Sequence, residues 1–102
     1  MSIFSLFGGN TKNQKVQELL NKGALIVDVR TPAEYSEGHI TQSVNIPLNL
    51  IPSKINELKR KDKAIITCCR SGARSGMAAD QLKKAGIEAE NGGPWNSLQQ
   101  MM

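Results

Sequence analysis

The sequence predicts an α/β fold, with a central, mainly parallel sheet flanked by helices on both faces. Two observations carry this expectation. The runs Ala24 to Val29, broken only by Asp28, and Ala64 to Cys68 are the apolar stretches expected of strands covered on both sides. Around them apolar residues recur at helical spacing, so strands alternate with amphipathic helices, the order that builds a parallel sheet. In such sheets ligands bind outside the carboxyl ends of the strands, which is where chemistry is to be sought.

The elements follow in order. Val16, Leu19 and Leu20 stand at i, i+3 and i+4, with Gly23 placed for a C-cap, giving a short helix over roughly Lys12 to Lys22. The first strand is Ala24 to Val29. Thr31 can cap and Pro32 tolerates the first helical position, so a helical turn is expected through Tyr35, broken by Gly38. Ser43 to Ile46 suits a short strand before Pro47. Ile51, Ile55 and Leu58 predict a second amphipathic helix, and Ala64 to Cys68 the best buried strand. Ala78, Leu82 and Ala85 share one face of a third helix over about Ala73 to Ala85, stopped by Gly86. Glu88 to Asn91 is expected as the last strand, with Gly92, Gly93 and Pro94 turning into a short segment that holds Trp95 and Leu98.

At 102 residues the chain suits one domain over residues 1–102 with a single core, since two halves would each bury too little apolar surface to fold. Thirteen Lys and Arg against nine Asp and Glu leave a formal charge of +4, a field mildly favourable to small anions. Lys59, Arg60, Lys61 and Lys63 surround Asp62 in what reads as a solvated connector. Aromatics are 4% of the chain and none is interleaved with those lysines, so no stacking platform for nucleic acid is expected. Met1 to Phe7 lacks a basic region and a cleavage site, and no apolar run approaches the roughly 20 residues of a membrane span. Ile3, Phe4, Leu6 and Phe7 are expected to cover the chain's own core rather than a partner. Two adjacent cysteines cannot staple a fold, and they agree with a reducing, cytoplasmic setting.

The chemistry concentrates where the best strand passes through a Gly-containing loop into the third helix, at Cys68-Cys69-Arg70-Ser71-Gly72-Ala73-Arg74-Ser75. Backbone N–H groups of such a loop and of the helix N-terminus favour an anion at their centre. With Arg70 and Arg74 nearby, the same field should hold a thiol as its nucleophilic thiolate. Free cysteine is usually a small buried hydrophobe, and that reading is preferred for Cys68, whose side chain alternates to the opposite face from Cys69. Cys69 is the candidate nucleophile. Arg70 and Arg74 can each grip an oxyanion in two places, or turn inward to a carboxylate. Asp28 and Arg30, at a strand's carboxyl end, are assigned supporting roles, Asp28 as a hydrogen-bond partner of the loop. His39, the single histidine, is expected to be structural, and Trp95 to fill the core ahead of walling the site. Two cysteines and one histidine make no plausible metal site, and no cofactor is expected.

The run Cys69-Arg70-Ser71-Gly72-Ala73-Arg74-Ser75 resembles the active-site loop of single-domain rhodaneses. Asp28-Val29-Arg30, Glu34-Tyr35, Gly38-His39-Ile40, Asn45-Ile46-Pro47 and Gly92-Gly93-Pro94-Trp95 are similar to that family's other signatures and occur in its order. The likeness covers roughly Val16 to Leu98. It implies a rhodanese-like domain and a two-step sulfur transfer. Cys69 attacks the outer sulfur of a donor anion such as thiosulfate, sulfite leaves, and a thiophilic acceptor, cyanide or a thiol, then takes the sulfur from the persulfide. The loop residues Arg70 to Ser75 would hold the substrate, their amides meeting the terminal sulfur's charge. Counting from Cys68 gives a second frame, Cys-x5-Arg, resembling cysteine-dependent phosphatases; Thr67 stands where those commonly carry His. A third reading is a rhodanese-like module that carries sulfur to, or senses signals from, a partner protein.

Overall fold

The computed structural model describes residues 11–102; the apolar Ile3, Phe4, Leu6 and Phe7 lie outside them. Helix α1 covers Lys12–Asn21, opened by a reciprocal capping box in which the Thr11 hydroxyl accepts from the Gln14 N–H and the Gln14 side chain accepts from the Thr11 N–H. Strand β1 is Leu25–Asp28. Helix α2, Pro32–Glu37, begins with the same device at Thr31 and Glu34, and with Pro32 in its first turn. The short strand β2, Val44–Asn45, and a single 3₁₀ turn over Leu48–Leu50 lead into α3, Ile51–Arg60. Strand β3, Ile65–Cys69, is buried along its whole length and runs one residue further than its apolar run suggested, so that it ends on Cys69 itself. Helix α4 is Ala73–Lys84 and α5 is Trp95–Gln100, joined through β4, Ala89–Pro94.

The four strands form one sheet in the order β2-β1-β3-β4, and every pair is parallel. Sequence order reverses between the two central strands, β1 and β3, and a crevice opens at their carboxyl ends at such a reversal. Asp28 and Cys69 end these strands. One face of the sheet packs Val27, Ile65 and Cys69 against Ile51 and Leu58 of α3 and Ala78, Ala79 and Leu82 of α4. The other face packs Ile26, Ile66 and Cys68 against Val16 and Leu19 of α1 and Leu98 of α5. Each buried Val, Leu or Ile among them contributes about 1.5–3 kcal/mol of transfer free energy, so the two half-cores together hold the sheet between its helices. The period-2 alternation of β3 is what sends the adjacent cysteines into different half-cores.

One expectation is corrected. Gly92, Gly93 and Pro94 do not form a turn; they continue β4, and Pro94 pairs with Cys69 across a register shift between Thr67 and Cys69. Pro is tolerated there because β4 is an edge strand. Gly92 is required by close approach rather than by a turn. A Cβ on it would lie 2.7 Å from Ile66 Cγ2 and 2.8 Å from the Thr67 carbonyl oxygen.

Candidate active site

Strand β3 delivers Cys69 to the sheet's carboxyl edge, and the chain reaches α4 through Arg70, Ser71 and Gly72. Gly72 is the N-cap residue of α4, with φ 103°, a left-handed conformation that glycine adopts without cost from a side chain. This tight path bends the loop amides back toward the strand end. Gly72 N–H donates to Cys69 Sγ at 3.0 Å and Ser75 N–H donates at 3.4 Å, while Ser75 Oγ lies 3.3 Å from the sulfur. Cys69 is fully buried, whereas Arg70 and Ser71 are exposed.

Burial by itself pushes the Cys69 thiol up. The Ser75 hydroxyl and the amides of Ser75, Gly72 and Ser71 act in the opposite sense, and together they leave the thiol's pKa below its ordinary value. Cys68 shows what burial does without such donors. Its thiol is pushed up to about 12 by desolvation and by the Asp28 carboxylate. Of the two adjacent cysteines, Cys69 has donors that favour its thiolate and Cys68 has none.

A network from Asn91, in the middle of β4, holds the loop. Asn91 Nδ2 donates to the Gly72 carbonyl at 2.9 Å, and Asn91 Oδ1 accepts from Gly93 N–H at 2.9 Å and from Ser75 Oγ at 2.7 Å. Thr67 Oγ1 donates to the Ser75 carbonyl at 2.7 Å. Arg74 points to Glu34 on α2, with its two terminal guanidinium nitrogens donating to the two carboxylate oxygens at 2.7 and 3.0 Å. Of the two roles open to Arg74, its guanidinium takes the inward one. The pair holds the Glu34 carboxyl far down, at about 2, with the Thr31 amide as the next influence.

Asp28 was expected to bond the loop after Cys69. Its carboxylate instead accepts from Arg30, through the backbone N–H at 3.0 Å, Nε at 2.9 and 3.0 Å, and Nη2 at 2.7 Å. Residues two apart at a strand end lie on the same side, so the guanidinium folds back onto its near neighbour. Arg30 then reaches the Gly38 carbonyl at 2.7 Å and lies 5.0 Å from the Trp95 ring centroid, over its face. His39 is structural in its contacts, with Nδ1 bonded to the Tyr35 carbonyl at 2.6 Å and its ring stacked on Tyr35. Trp95 makes two sets of contacts. It packs against the α1-side core, and it lines a polar cleft of about 430 Å³ together with Arg30, Glu34, Glu37, Gly38, Arg70 and Asn96.

Sequence reasoning assigned no role to Asn91 and none to the Glu34 carboxylate. The Thr31–Glu34 capping box is a local signal for that carboxylate, but the site partners, Gly72 and Ser75 for Asn91 and Arg74 for Glu34, lie 16 to 40 residues away along the chain and leave none. Among the described residues no group of three or more His, Cys, Asp or Glu side chains is gathered to hold a metal ion, and no helix is long and apolar enough to cross a membrane.

Comparison with known proteins gives a consistent result. The family model of the rhodanese-like domain matches residues 12–91. A protein named sulfurtransferase from Allochromatium vinosum is 44% identical over 62 residues, which is 61% of this chain and 57% of that protein. The chain thus spans little more than half of this relative's length. Among solved structures, a rhodanese-related protein from Thermoplasma volcanium superposes with a TM-score of 0.70 at 31% identity, covering 83% of this chain and 87% of that one. A rhodanese with anions from E. coli superposes at 0.65 and 29% identity, covering 72% and 88%.

Proposed function

The chain belongs to the rhodanese-like domain family, and from that premise we propose that it is a sulfurtransferase carrying sulfane sulfur as a persulfide on Cys69. The observation that supports this most is the cradle around Sγ, to which the Gly72 and Ser75 amides donate and beside which the Ser75 hydroxyl stands at 3.3 Å. A donor anion such as thiosulfate presents its outer sulfur to the Cys69 thiolate. A new S–S bond forms, the bond to the sulfonate sulfur breaks, and sulfite leaves with its electron pair. The product is a negatively charged persulfide, whose terminal sulfur is the kind of developing anion that preorganised amides stabilise. A thiolate or cyanide then attacks that sulfur and restores the Cys69 thiolate.

The division of labour among the arginines follows from their contacts. Arg74 is occupied by Glu34 and Arg30 by Asp28, while the exposed Arg70, next to Cys69 in the chain, lines the polar cleft and is the residue we assign to the donor's oxygens. A protein thiol is an acceptor of the same chemical class as a small one.

Intact-mass measurement after incubation with thiosulfate tests the reading. One sulfur atom should be added, and cyanide should remove it. Cys69→Ser should abolish loading and Cys68→Ser should not; the reverse dependence would overturn the assignment. Hydrolysis of an aryl phosphate lost in Cys68→Ser would move it to the phosphatase frame.

A further inference from the structure

Asn91 sits in the middle of β4, opposite Thr67 and outside the loop that carries the reacting sulfur. Its amide can be oriented in one way only. The Gly72 carbonyl accepts and so must face Nδ2, whereas Gly93 N–H donates and so must face Oδ1. Ser75 Oγ is 2.7 Å from that same Oδ1, which accepts and cannot donate, so the single hydroxyl proton of Ser75 points at Asn91. Toward Cys69 Sγ, 3.3 Å away, Ser75 Oγ then has lone pairs to offer. This arrangement suits a thiol, whose S–H donates to Oγ. It does not suit a thiolate, which needs the hydroxyl proton for itself.

We propose that Asn91 is a positioning residue that competes with the Cys69 sulfur for the Ser75 hydroxyl proton, so that ionisation of the thiol turns this proton from Asn91 to the sulfur. The thiol proton leaves to solvent, the Ser75 O–H swings from Oδ1 to Sγ, and Asn91 Oδ1 keeps its bond from Gly93 N–H. No bond to the loop backbone breaks in the exchange, because Asn91 Nδ2 stays on the Gly72 carbonyl. The loop is thereby kept in one geometry through both protonation states. The helix above is shaped to admit the amide. A Cβ on Gly76 of α4 would lie 3.1 Å from Asn91 Nδ2, tighter than ordinary packing allows.

The other charged and titratable groups around the sulfur do not replace this role. Arg74 on α4 acts on Cys69 through space from its pair with Glu34; Asp28 and Arg30 at the end of β1 neutralise one another; Arg70 adjoins the sulfur on the loop; and Cys68 points into the opposite half-core. From β4, Asn91 contributes a neutral amide whose effect on the thiol must pass through Ser75.

The inference rests on Cys69 being the reacting thiol but not on what that thiol reacts with. Its test is an ultraviolet thiolate titration of the full chain, corrected by the same titration of Cys69→Ser, which requires no sulfur donor. Asn91→Ala should lower the Cys69 midpoint by about half a pH unit, roughly a threefold gain in thiolate below the midpoint, because the hydroxyl proton becomes wholly available. In a Ser75→Ala background the same substitution should shift the midpoint by less than half as much. An unmoved midpoint, an upward shift, or equal shifts in the two backgrounds would overturn the proposal. Should Asn91→Ala fail to fold, Gly76→Ala displaces the amide instead. The same downward, Ser75-dependent shift is expected, and an unmoved midpoint overturns the proposal. Absence of sulfur loading with this coupling intact would instead refute the proposed transfer reaction.

Discussion

Arg74 and Glu34 form a two-point ion pair, Nη1 to Oε1 at 2.7 Å and Nη2 to Oε2 at 3.0 Å, that ties the start of α4 to α2. Glu34 also caps its own helix, where its carboxylate accepts from the Thr31 N–H at 3.0 Å. A single carboxylate thus fixes both the first turn of α2 and the helix that follows the Cys69 loop. The two-pronged geometry gives the pair its direction, and partial solvent exposure limits its strength.

Glu34 provides a pH test with a definite sign. Its folded pKa lies at about 2, below the ordinary 4.5, so the pair's contribution to stability is present above pH 4.5 and is lost as pH falls toward about 2. Urea midpoints of the native chain and Glu34→Gln should differ at neutral pH and converge across that acid window. A constant difference down to pH 2 would mean that the carboxylate acts by some route other than its charge.

Turnover should separate a latch from an anion clamp. If Arg74 works through Glu34, Arg74→Ala and Glu34→Gln lower sulfurtransferase turnover alike, while Lys83→Ala on the same helix leaves it unchanged. Faster turnover in Glu34→Gln would show instead that Arg74, once released, grips the donor.

The two thiols should titrate far apart. Thiolate absorbance is expected to show one step below the ordinary cysteine range, removed by Cys69→Ser, and a second near about 12, removed by Cys68→Ser. A single step for both would contradict the separate environments of the two faces of β3.

Asp28→Ala should be severely destabilising. It would leave the Arg30 guanidinium, 6% exposed, without its carboxylate, and breaking one side of a buried pair costs about 3–5 kcal/mol. Chemical denaturation measures this directly. A loss comparable to a surface substitution would show that the Gly38 carbonyl and Trp95 suffice to hold Arg30.

Gly92 and Gly86 offer a contrast between space and backbone. Gly92→Ala must push Ile66 and the Thr67 backbone and should cost about 1–3 kcal/mol, with disturbance of the β3 end that carries Cys69. Gly86, at φ 88° with open space around it, should cost about 1 kcal/mol on replacement by Ala and leave turnover unaffected. Equal effects on stability and turnover would remove the argument for close approach at Gly92.

Much of this protein was legible locally. The period of 2 in Ile65 to Cys69 separates the cysteines onto two faces; the spacing of Val16, Leu19 and Leu20 and of Ile51, Ile55 and Leu58 sets two helices; Thr31 before Pro32 starts a third. These are short-range consequences of backbone geometry, and the position of Cys69 between a buried strand and a helix start is one of them. The extension of β4 through Gly92, Gly93 and Pro94 was not legible. Its cause is a neighbouring strand, and Gly-Gly-Pro in isolation favours a turn.

What tertiary structure alone decided is which groups meet. Two arginines stand four residues apart around one glycine in Arg70 to Arg74, and nothing local says that the second is taken by a carboxylate on α2. Nor does the pattern around Asn91 show that its amide reaches Gly72 and Ser75. The physical reason is the same in both cases. Hydrogen bonds and ion pairs depend on positions fixed to within a few tenths of an ångström, and those positions arise only when the parallel sheet brings the carboxyl ends of β1, β3 and β4 to one edge. The amino-acid order marked the candidate nucleophile and its strand; the assembled edge determined the donors around that sulfur.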